Sequence, residues 1–300
     1  MKVQLITVFW FVVVGFVSLA QTQPTYSQEI SANFTEVVEN KLKNTFNTDL
    51  NKICPVETDV SAKRIFAEYG AIFVSSGTKL PGKCIFSSDA EIISFQSKSL
   101  PQSATVGGVS ITLQKPAMEK LLEAVREAAK KNLRITPRGG SLAAGRSFQD
   151  TVNLWNSRFY PALNYWVGRR KISSPEAAAV KTLPIREQVA RVLEWESRGI
   201  YFSKDLSKSI LFSVAAPGAS QHNFLLALDV EQFANPKVRE ILARHGWFQT
   251  VKSDLPHFTF LGVTSDKLRE LGLKPVPVGN QEFWIPNIVE PTKKLEVKSK

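Results

Sequence analysis

Histidine is scarce in this chain, whose 300 residues contain only three: His222, His245 and His257. Any site that uses imidazole for metal binding or proton transfer must draw on this short set. Cysteine is scarcer still, with Cys54 and Cys84 as the only two. No histidine precedes His222, so a zinc site built on these cysteines would lack further ligands nearby. In an oxidising compartment their even count predicts one disulfide.

Acidic residues are also in short supply: 27 Asp and Glu stand against 38 Lys and Arg, which gives a net charge of +11. A charge of this size favours polyanionic partners but does not determine a fold. Hydrophobic residues at 43% and charged residues at 22% are ordinary for a globular protein, so disorder is not expected. The length suits one large domain, or one domain with a smaller appendage.

The N-terminus has the layout of a secretory signal peptide. Lys2 is followed by a mostly apolar run to residue 20, and Ser18 and Ala20 place small residues where a signal peptidase reads them. We therefore predict a signal peptide over residues 1–20. The alternative is a membrane anchor, because the run approaches the roughly 17 residues that can just span a bilayer.

Both alternatives place the bulk of the chain outside the cytoplasm, in the periplasm, the cell envelope or the extracellular space. Export removes nucleic acid as the main candidate partner for the basic charge. Anionic wall polymer or lipid headgroups would fit it, and so would a simply solvated basic surface. A membrane partner is expected only if the N-terminal segment is retained.

Residues 29–115 are predicted to form a small α/β appendage. The spacing of apolar residues over 34–50 indicates a helix, and alternating β-branched and aromatic residues over 65–75 and 84–99 indicate strands. Residues 29–110 do not gather the residue types that catalysis or metal binding needs.

Residues 116–285 are predicted to form an α+β domain with antiparallel strands, followed by a basic tail over 286–300. The helical patterns lie at 116–132, from about 150 onward, at 185–197 and at 236–245. The strand patterns lie at 134–136, 210–216, 225–230 and 258–263.

Two short segments combine histidine with aspartate. His222 precedes Asp229 by seven residues, and Asp254 precedes His257 by three. Two imidazoles and a carboxylate form a three-ligand set that leaves zinc one open position for water. A further acid can then take a proton from that water, whose pKa zinc lowers toward about 7.

A structural explanation of the same residues remains open, since single histidines at strand ends are often capped or surface residues and Asp229 could cap a turn. The spacing also imposes a geometric condition. In one unbroken strand, positions 222 and 229 would point to opposite faces. Both can face one metal only if the chain turns between them, most easily around Asn223 and Phe224.

These segments resemble the paired signatures of the zinc D-alanyl-D-alanine carboxypeptidases and L-alanyl-D-glutamate endopeptidases, which share a fold with the hedgehog signalling domain. The first signature reads Ser-x-His-x-x-Gly-x-Ala-x-Asp and is matched at Ser220, His222, Ala227 and Asp229. The second is an acid, two residues and a histidine, matched at Asp254 and His257. A third element, residues 146–149, resembles the stretch that carries a substrate-binding arginine. The resemblance covers roughly residues 117–265.

The resemblance implies a role for each matched residue. Zinc would be bound by His222, Asp229 and His257, and Asp254 would act as the general base. Arg146 would pair with a substrate carboxylate, with Arg138 as the second choice for that role. Ser220 would donate a hydrogen bond to the same group.

The expected function is hydrolysis of peptidoglycan stem peptides by a zinc peptidase, most similar to a D-alanyl-D-alanine carboxypeptidase, with the endopeptidase branch as an alternative. A second alternative is a non-catalytic peptidoglycan-binding protein. Leu225 keeps it open, because it stands where the family has glycine and leucine does not easily adopt φ > 0. His245 follows a helix pattern and is predicted to interact with the helix C-terminus.

Overall fold

The computed structural model describes residues 31–289; the predicted leader (1–20) and residues 290–300 of the predicted tail lie outside this range. The described part is a mixed α+β structure, 48% helical and 14% strand, with small antiparallel sheets. The helices are α1 (Phe34–Phe46), α2 (Leu50–Ile53), α3 (Val60–Tyr69), α4 (Asp89–Lys98), α5 (Lys115–Lys130), α6 (Phe148–Gly168), α7 (Ser174–Thr182), α8 (Ile185–Ser197) and α9 (Pro236–Arg244). The strands are β1 (Pro101–Val106), β2 (Val109–Gln114), β3 (Ala227–Asp229), β4 (Trp247–Phe248), β5 (His257–Phe260), β6 (Leu273–Val278) and β7 (Gln281–Pro286).

The two strands predicted at 65–75 and 84–99 are wrong, because these segments are largely helical. Asp59 caps α3 by accepting hydrogen bonds from two backbone amides of its first turn, and the hydroxyl of Ser88 caps α4 by accepting from the backbone N–H of Glu91. The apolar residues are then buried at helical spacing, with Ile92 and Phe95 on one face of α4. A short run of apolar residues does not distinguish a strand from a buried helix. Here the capping residues Asp59 and Ser88 favour helices.

The strands of this region lie instead in a hairpin that the sequence prediction missed. β1 and β2 pair antiparallel, with Val106 opposite Val109 at the turn. The turn residues Gly107 and Gly108 have φ of 55° and 86°, as a two-residue type I′ turn requires.

Among the later elements, α5, α8 and α9 match the predicted helices closely, and α6 begins two residues before Asp150. The strand predicted at 210–216 is wrong, because its first residues form a 3₁₀ turn at Ile210–Phe212. The strand predicted at 134–136 is also absent from the described residues, where Pro137 makes a single bridge to Val230. The helix α7 and the β6–β7 hairpin were not predicted.

The three-stranded sheet has the order β3-β5-β4 and is antiparallel throughout. Its register places Asp229 of β3 directly opposite His257 of β5. Side chains of residues paired in this way project from the same face of the sheet, so the register brings a predicted ligand from each strand together.

Two hydrophobic clusters make up the core of the described part of the chain. The larger joins α1, α3 and α5 to the three-stranded sheet, and includes both Phe34 and Met118. Residues from both sides of the predicted boundary at 115 thus pack together, and the division into an appendage and a main domain stays a prediction. The smaller cluster is built from α6, α7 and α8, and Ala219 belongs to it whereas Phe224 belongs to the larger one. His222 therefore lies where the two clusters meet.

Cys54 and Cys84 are joined by a disulfide with an S–S distance of 2.09 Å, which ties the end of α2 to the segment before α4. Within residues 31–289, no helix combines the length and the apolar character that crossing a bilayer requires.

Candidate metal centre

A tight turn separates His222 from Asp229, as the parity of the two positions demanded. Gln221–Phe224 form one 3₁₀ turn, and Leu225 follows with φ of 57° and ψ of 31°, in the left-handed region. The chain then enters β3, which ends at Asp229. Leu225 thus adopts the conformation for which glycine is the usual residue.

Side chains from the N-terminal part of the chain hold this turn in place. The buried amide of Gln114, at the end of β2, donates to the carbonyl of Phe224, while its backbone N–H donates to the carbonyl of Leu225. Gln96 of α4 donates to the carbonyl of Asn223 at 3.0 Å. Gln96 and Gln114, which lie in the predicted N-terminal appendage, therefore help to position His222.

The side chains of His222, Asp229 and His257 converge, and the three together could hold a metal ion. The Nε2 atom of His222 lies 3.1 Å from Nδ1 of His257. Oδ1 of Asp229 lies 3.4 Å from the first of these nitrogens and 3.3 Å from the second. Both rings are buried.

The hydrogen bonds of the outer ring nitrogens indicate which nitrogen of each imidazole carries a proton. Nδ1 of His222 lies 2.7 Å from the carbonyl oxygen of Ala144, so this nitrogen carries the proton and donates it. Nε2 of His257 lies 2.8 Å from Oε1 of Gln221. That amide is itself oriented, because its nitrogen donates to the carbonyl of Tyr69 and its oxygen accepts from Thr259.

In its neutral form each ring therefore turns a lone pair inward, toward the other ring and toward Asp229. Oδ1 of Asp229 is buried and has no hydrogen-bond partner within residues 31–289. Three acceptor atoms facing one another without a proton repel unless a cation lies between them. Tetrahedral bonds of roughly 2.0–2.1 Å place ligand atoms ~3.3 Å apart, close to the separations of 3.1, 3.3 and 3.4 Å seen here. The donor set and its geometry fit a metal ion.

The protonation states of the ligands agree with this geometry. Burial, followed by the nearby charge of Arg146, lowers the pKa of His222 to about 4, so the ring is neutral at neutral pH. Burial alone would raise the pKa of Asp229, but the adjacent His222 and His257 outweigh it and hold this pKa well below its ordinary value. Asp229 therefore supplies the one negative charge of the ligand set.

Arg146 lies on the other side of Asp229. Its Nη2 donates to Oδ2 of Asp229 at 2.6 Å, and its Nε donates to the carbonyl of Leu142 at 2.8 Å. The guanidinium thus binds the oxygen that does not face the imidazoles and fixes the orientation of the carboxylate. Arg146 also lines the cleft beside the histidines.

The cleft above the three ligands is lined by the α6 face, by residues 211–215 and by the segment before β5. Asp254 and Ser220 line it together with His222 and His257. Asp254 is an exposed residue that water can reach, but protein atoms crowding its carboxyl group displace enough solvent to raise its pKa. Interaction with His257 opposes this rise, and the charge of Asp229 adds to it.

Two other sequence candidates lie elsewhere. Arg138, the second choice for the substrate carboxylate, pairs with Glu231 at 3.3 Å, lies over the ring of Phe233 and does not line the cleft. His245 is the C-cap residue of α9, where its side chain contacts Glu127 at 2.9 Å.

Sequence reasoning missed two residues of the site. Gln221 orients His257 and stands directly before His222, but nothing about an isolated glutamine distinguishes it from a surface residue. Arg158 of α6 lines the cleft, and its only signal is that it follows Thr151 and Leu154 at a spacing that places all three on one face of a helix.

Comparison with models of known protein families, with curated proteins and with solved structures finds no match for this chain.

Proposed function

We propose that this protein is a zinc-dependent peptidase that hydrolyses peptidoglycan stem peptides, most similar in its reaction to a D-alanyl-D-alanine carboxypeptidase. One observation carries the proposal: Nε2 of His222, Nδ1 of His257 and Oδ1 of Asp229 converge at 3.1 to 3.4 Å beside an accessible acid in a cleft, while the outer ring nitrogens are bonded to Ala144 and Gln221. The matched sequence segments supply the substrate class and remain a resemblance.

The donor set favours zinc over other cations. Magnesium and calcium prefer sites made of oxygen, whereas two imidazoles and one carboxylate suit zinc or ferrous iron. Ligand angles near 90° with bonds of about 2.0–2.1 Å would place the donors only ~2.9 Å apart. The separations of 3.3 and 3.4 Å are closer to the tetrahedral value.

Zinc, when bound, would lower the pKa of a water molecule and polarise the amide carbonyl of the substrate. Asp254 would take the proton from the attacking water as its oxygen bonds to the carbonyl carbon. The same carboxyl group would then deliver the proton to the amine nitrogen as the C–N bond breaks. The raised pKa of Asp254 suits both halves of this transfer, because the group must accept and release a proton near the working pH.

The remaining residues position these groups. Arg146 keeps Asp229 turned toward the histidines, and Gln221 and Ala144 hold the ring tautomers that leave the inner nitrogens free of protons. Ser220 lines the cleft and would donate a hydrogen bond to the substrate. Leu225 adopts the left-handed conformation, and His222 and Asp229 still converge, so this position supports an intact metal site.

The proposal includes a hedgehog/DD-peptidase-like arrangement and an exported location, with stem peptides rather than nucleic acid as the partner. The antiparallel pairing of the strands that carry Asp229 and His257 supports the first, and the Cys54–Cys84 disulfide supports the second.

Release of D-alanine from a stem pentapeptide tests the reaction. The zinc-loaded protein should release it, and removal of the metal by a chelator should abolish the release. Asp254→Ala should lower kcat by about 10²- to 10⁴-fold while zinc content stays unchanged. Asp266→Ala, which removes an exposed carboxylate that does not line the cleft, is the matched control. Bound zinc without cleavage of any stem peptide would instead support the non-catalytic alternative.

A further inference from the structure

Among the described residues, two arginines line the cleft, and they differ in their hydrogen-bond partners. Arg146 is bonded to other protein groups, since Nη2 donates to Asp229 and Nε donates to the carbonyl of Leu142. Arg158 lies in α6, two helical turns after Thr151, which lines the same cleft. Its Nη1 donates to the hydroxyl of the adjacent Ser157 at 2.9 Å.

The Nε atom of Arg158 is closed off from solvent and has no hydrogen-bond partner within residues 31–289. A buried charged donor without an acceptor costs more than an ordinary unpaired group. The guanidinium edge that includes Nε is suited to bidentate binding of a carboxylate. A ligand that brings an anionic group into the cleft, with the Arg158 side chain turned to meet it, would give this donor the acceptor that it lacks among the described residues.

The charges of the cleft favour the same kind of ligand. Among the described residues that line it, Asp254 is the only carboxylate, whereas Arg146 and Arg158 are both cationic. The face of α6 that carries Arg158 also presents Thr151 and Leu154, so the arginine lies in a wall with both polar and apolar character. A short peptide with a free carboxylate matches this surface better than an uncharged segment of a longer chain.

We propose that Arg158 binds the free C-terminal carboxylate of the peptide whose bond is cut beside Asp254, and so selects carboxypeptidase over endopeptidase substrates. The assignment rests on the proposed function, because it places the peptide in the same cleft. It moves to Arg158 the carboxylate-binding role that the sequence resemblance gave to Arg146. Arg146 acts instead on Asp229.

Binding of two matched peptides tests this assignment independently of turnover. The probes are a tripeptide ending in D-alanyl-D-alanine with a free carboxylate and the same tripeptide as its C-terminal amide. They are titrated by calorimetry into the zinc-loaded full chain carrying Asp254→Ala, which suppresses cleavage and is the background for every variant below. This background protein should bind the acid about tenfold or more tightly than the amide, since a charge-assisted pair is lost in the amide. Arg158→Gln should weaken binding of the acid by about tenfold or more and change binding of the amide less than about twofold.

Arg158→Lys keeps the charge without the planar fork and should restore part of the preference for the acid. Arg126→Gln, on the exposed surface of α5, should leave both affinities unchanged. Zinc content and thermal unfolding of each variant establish that the site is intact. If Arg158→Gln does not fold, the affinities of Arg158→Lys for the acid and the amide are compared instead.

Equal weakening of acid and amide by Arg158→Gln, or no weakening of either, would overturn the assignment. So would a background protein, with Arg158 unchanged, that binds neither peptide. Binding of the acid with the expected loss in Arg158→Gln, but without release of D-alanine by the wild-type protein, would retain Arg158 as the carboxylate-binding residue and refute the peptidase proposal alone.

Discussion

Among residues 31–289, two groups bring histidine and carboxylate together, and one of them could hold a metal ion. On the surface between α5 and α9, the ring of His245 has Nδ1 3.4 Å from Glu123 and Nε2 2.9 Å from Glu127. In the buried group, His222 and His257 donate their outer protons to Ala144 and Gln221. At His245, by contrast, both ring nitrogens face carboxylates rather than a second imidazole.

The carboxylates of the two groups also differ in their hydrogen-bond partners. Glu127 also accepts from Arg244 at 2.6 Å and from Lys131 at 2.9 Å. The hydrogen bond from Arg244, then those from Lys131 and His245, lower the pKa of Glu127 to about 2. Cationic side chains already neutralise this group, while Oδ1 of Asp229 has no donor among the described residues. Proximity of histidine and acid is thus a weaker sign of a metal site than the direction in which their protons point.

The largest expected effect is loss of the metal when a buried ligand is removed. His222→Ala should lower zinc affinity by more than the 10- to 100-fold typical of removing a partner outside the ligand set. His245→Ala should leave one equivalent of zinc bound. Equilibrium dialysis with metal analysis measures both, and equal retention of zinc by the two variants would contradict the distinction.

The next effect is a loss of stability in acid, confined to the buried group. In the metal-free protein, folded His222 resists protonation until pH falls to about 4, whereas the unfolded chain takes up the proton near the ordinary value of 6.5. The stabilisation is present above pH 6.5 and is lost as the pH falls toward 4, which corresponds to about 3 kcal/mol.

Urea unfolding of the metal-free protein at pH 7 and pH 4 measures this loss. His222→Gln should remove that part of the pH dependence, and His245→Gln should retain it. An acid-induced decrease of the same size in wild type and His222→Gln would show that other groups cause it.

Removing the residue that orients His257 should have a smaller effect. Gln221→Ala takes away the acceptor for Nε2 of His257 and should weaken zinc binding by about 10- to 100-fold. Gln188→Ala is the matched control, because it removes another buried glutamine, one that binds Trp155. If both variants bind zinc as wild type does, the ring of His257 does not need this partner.

The smallest effect is expected at Leu225. Leu225→Gly relieves about 1–2 kcal/mol of left-handed strain but loses a buried side chain worth about 2–5 kcal/mol, so the protein should become about 2 kcal/mol less stable. Zinc stoichiometry should not change. A gain in stability would show that the strain exceeds the packing, since Leu225 fills the space beside Gly145.

Helices with clear periodicity were predictable from sequence, and α8 has the predicted bounds of 185 and 197. The segments 65–75 and 84–99 were not, because their apolar residues suit a buried helix face as well as a strand. The capping residues Asp59 and Ser88 were the missed signal there. Gly107-Gly108, between two alternating runs, was the missed signal for the β1–β2 hairpin.

For the site, sequence spacing predicted the set His222, Asp229 and His257 and the turn that must separate the first two. It could not predict the ring tautomers, because the acceptors Ala144 and Gln221 are set by tertiary contacts. Nor could it show that Arg146 binds Asp229, a residue 83 positions away.

X-ray absorption of the zinc-loaded protein, combined with its metal content, shows whether His222, Asp229 and His257 bind zinc together. We expect one zinc per chain, bound by two imidazoles and one carboxylate with nitrogen or oxygen ligands at about 2.0–2.2 Å. Protein that takes up no stoichiometric zinc, or zinc whose spectrum lacks imidazole scattering, would contradict this expectation.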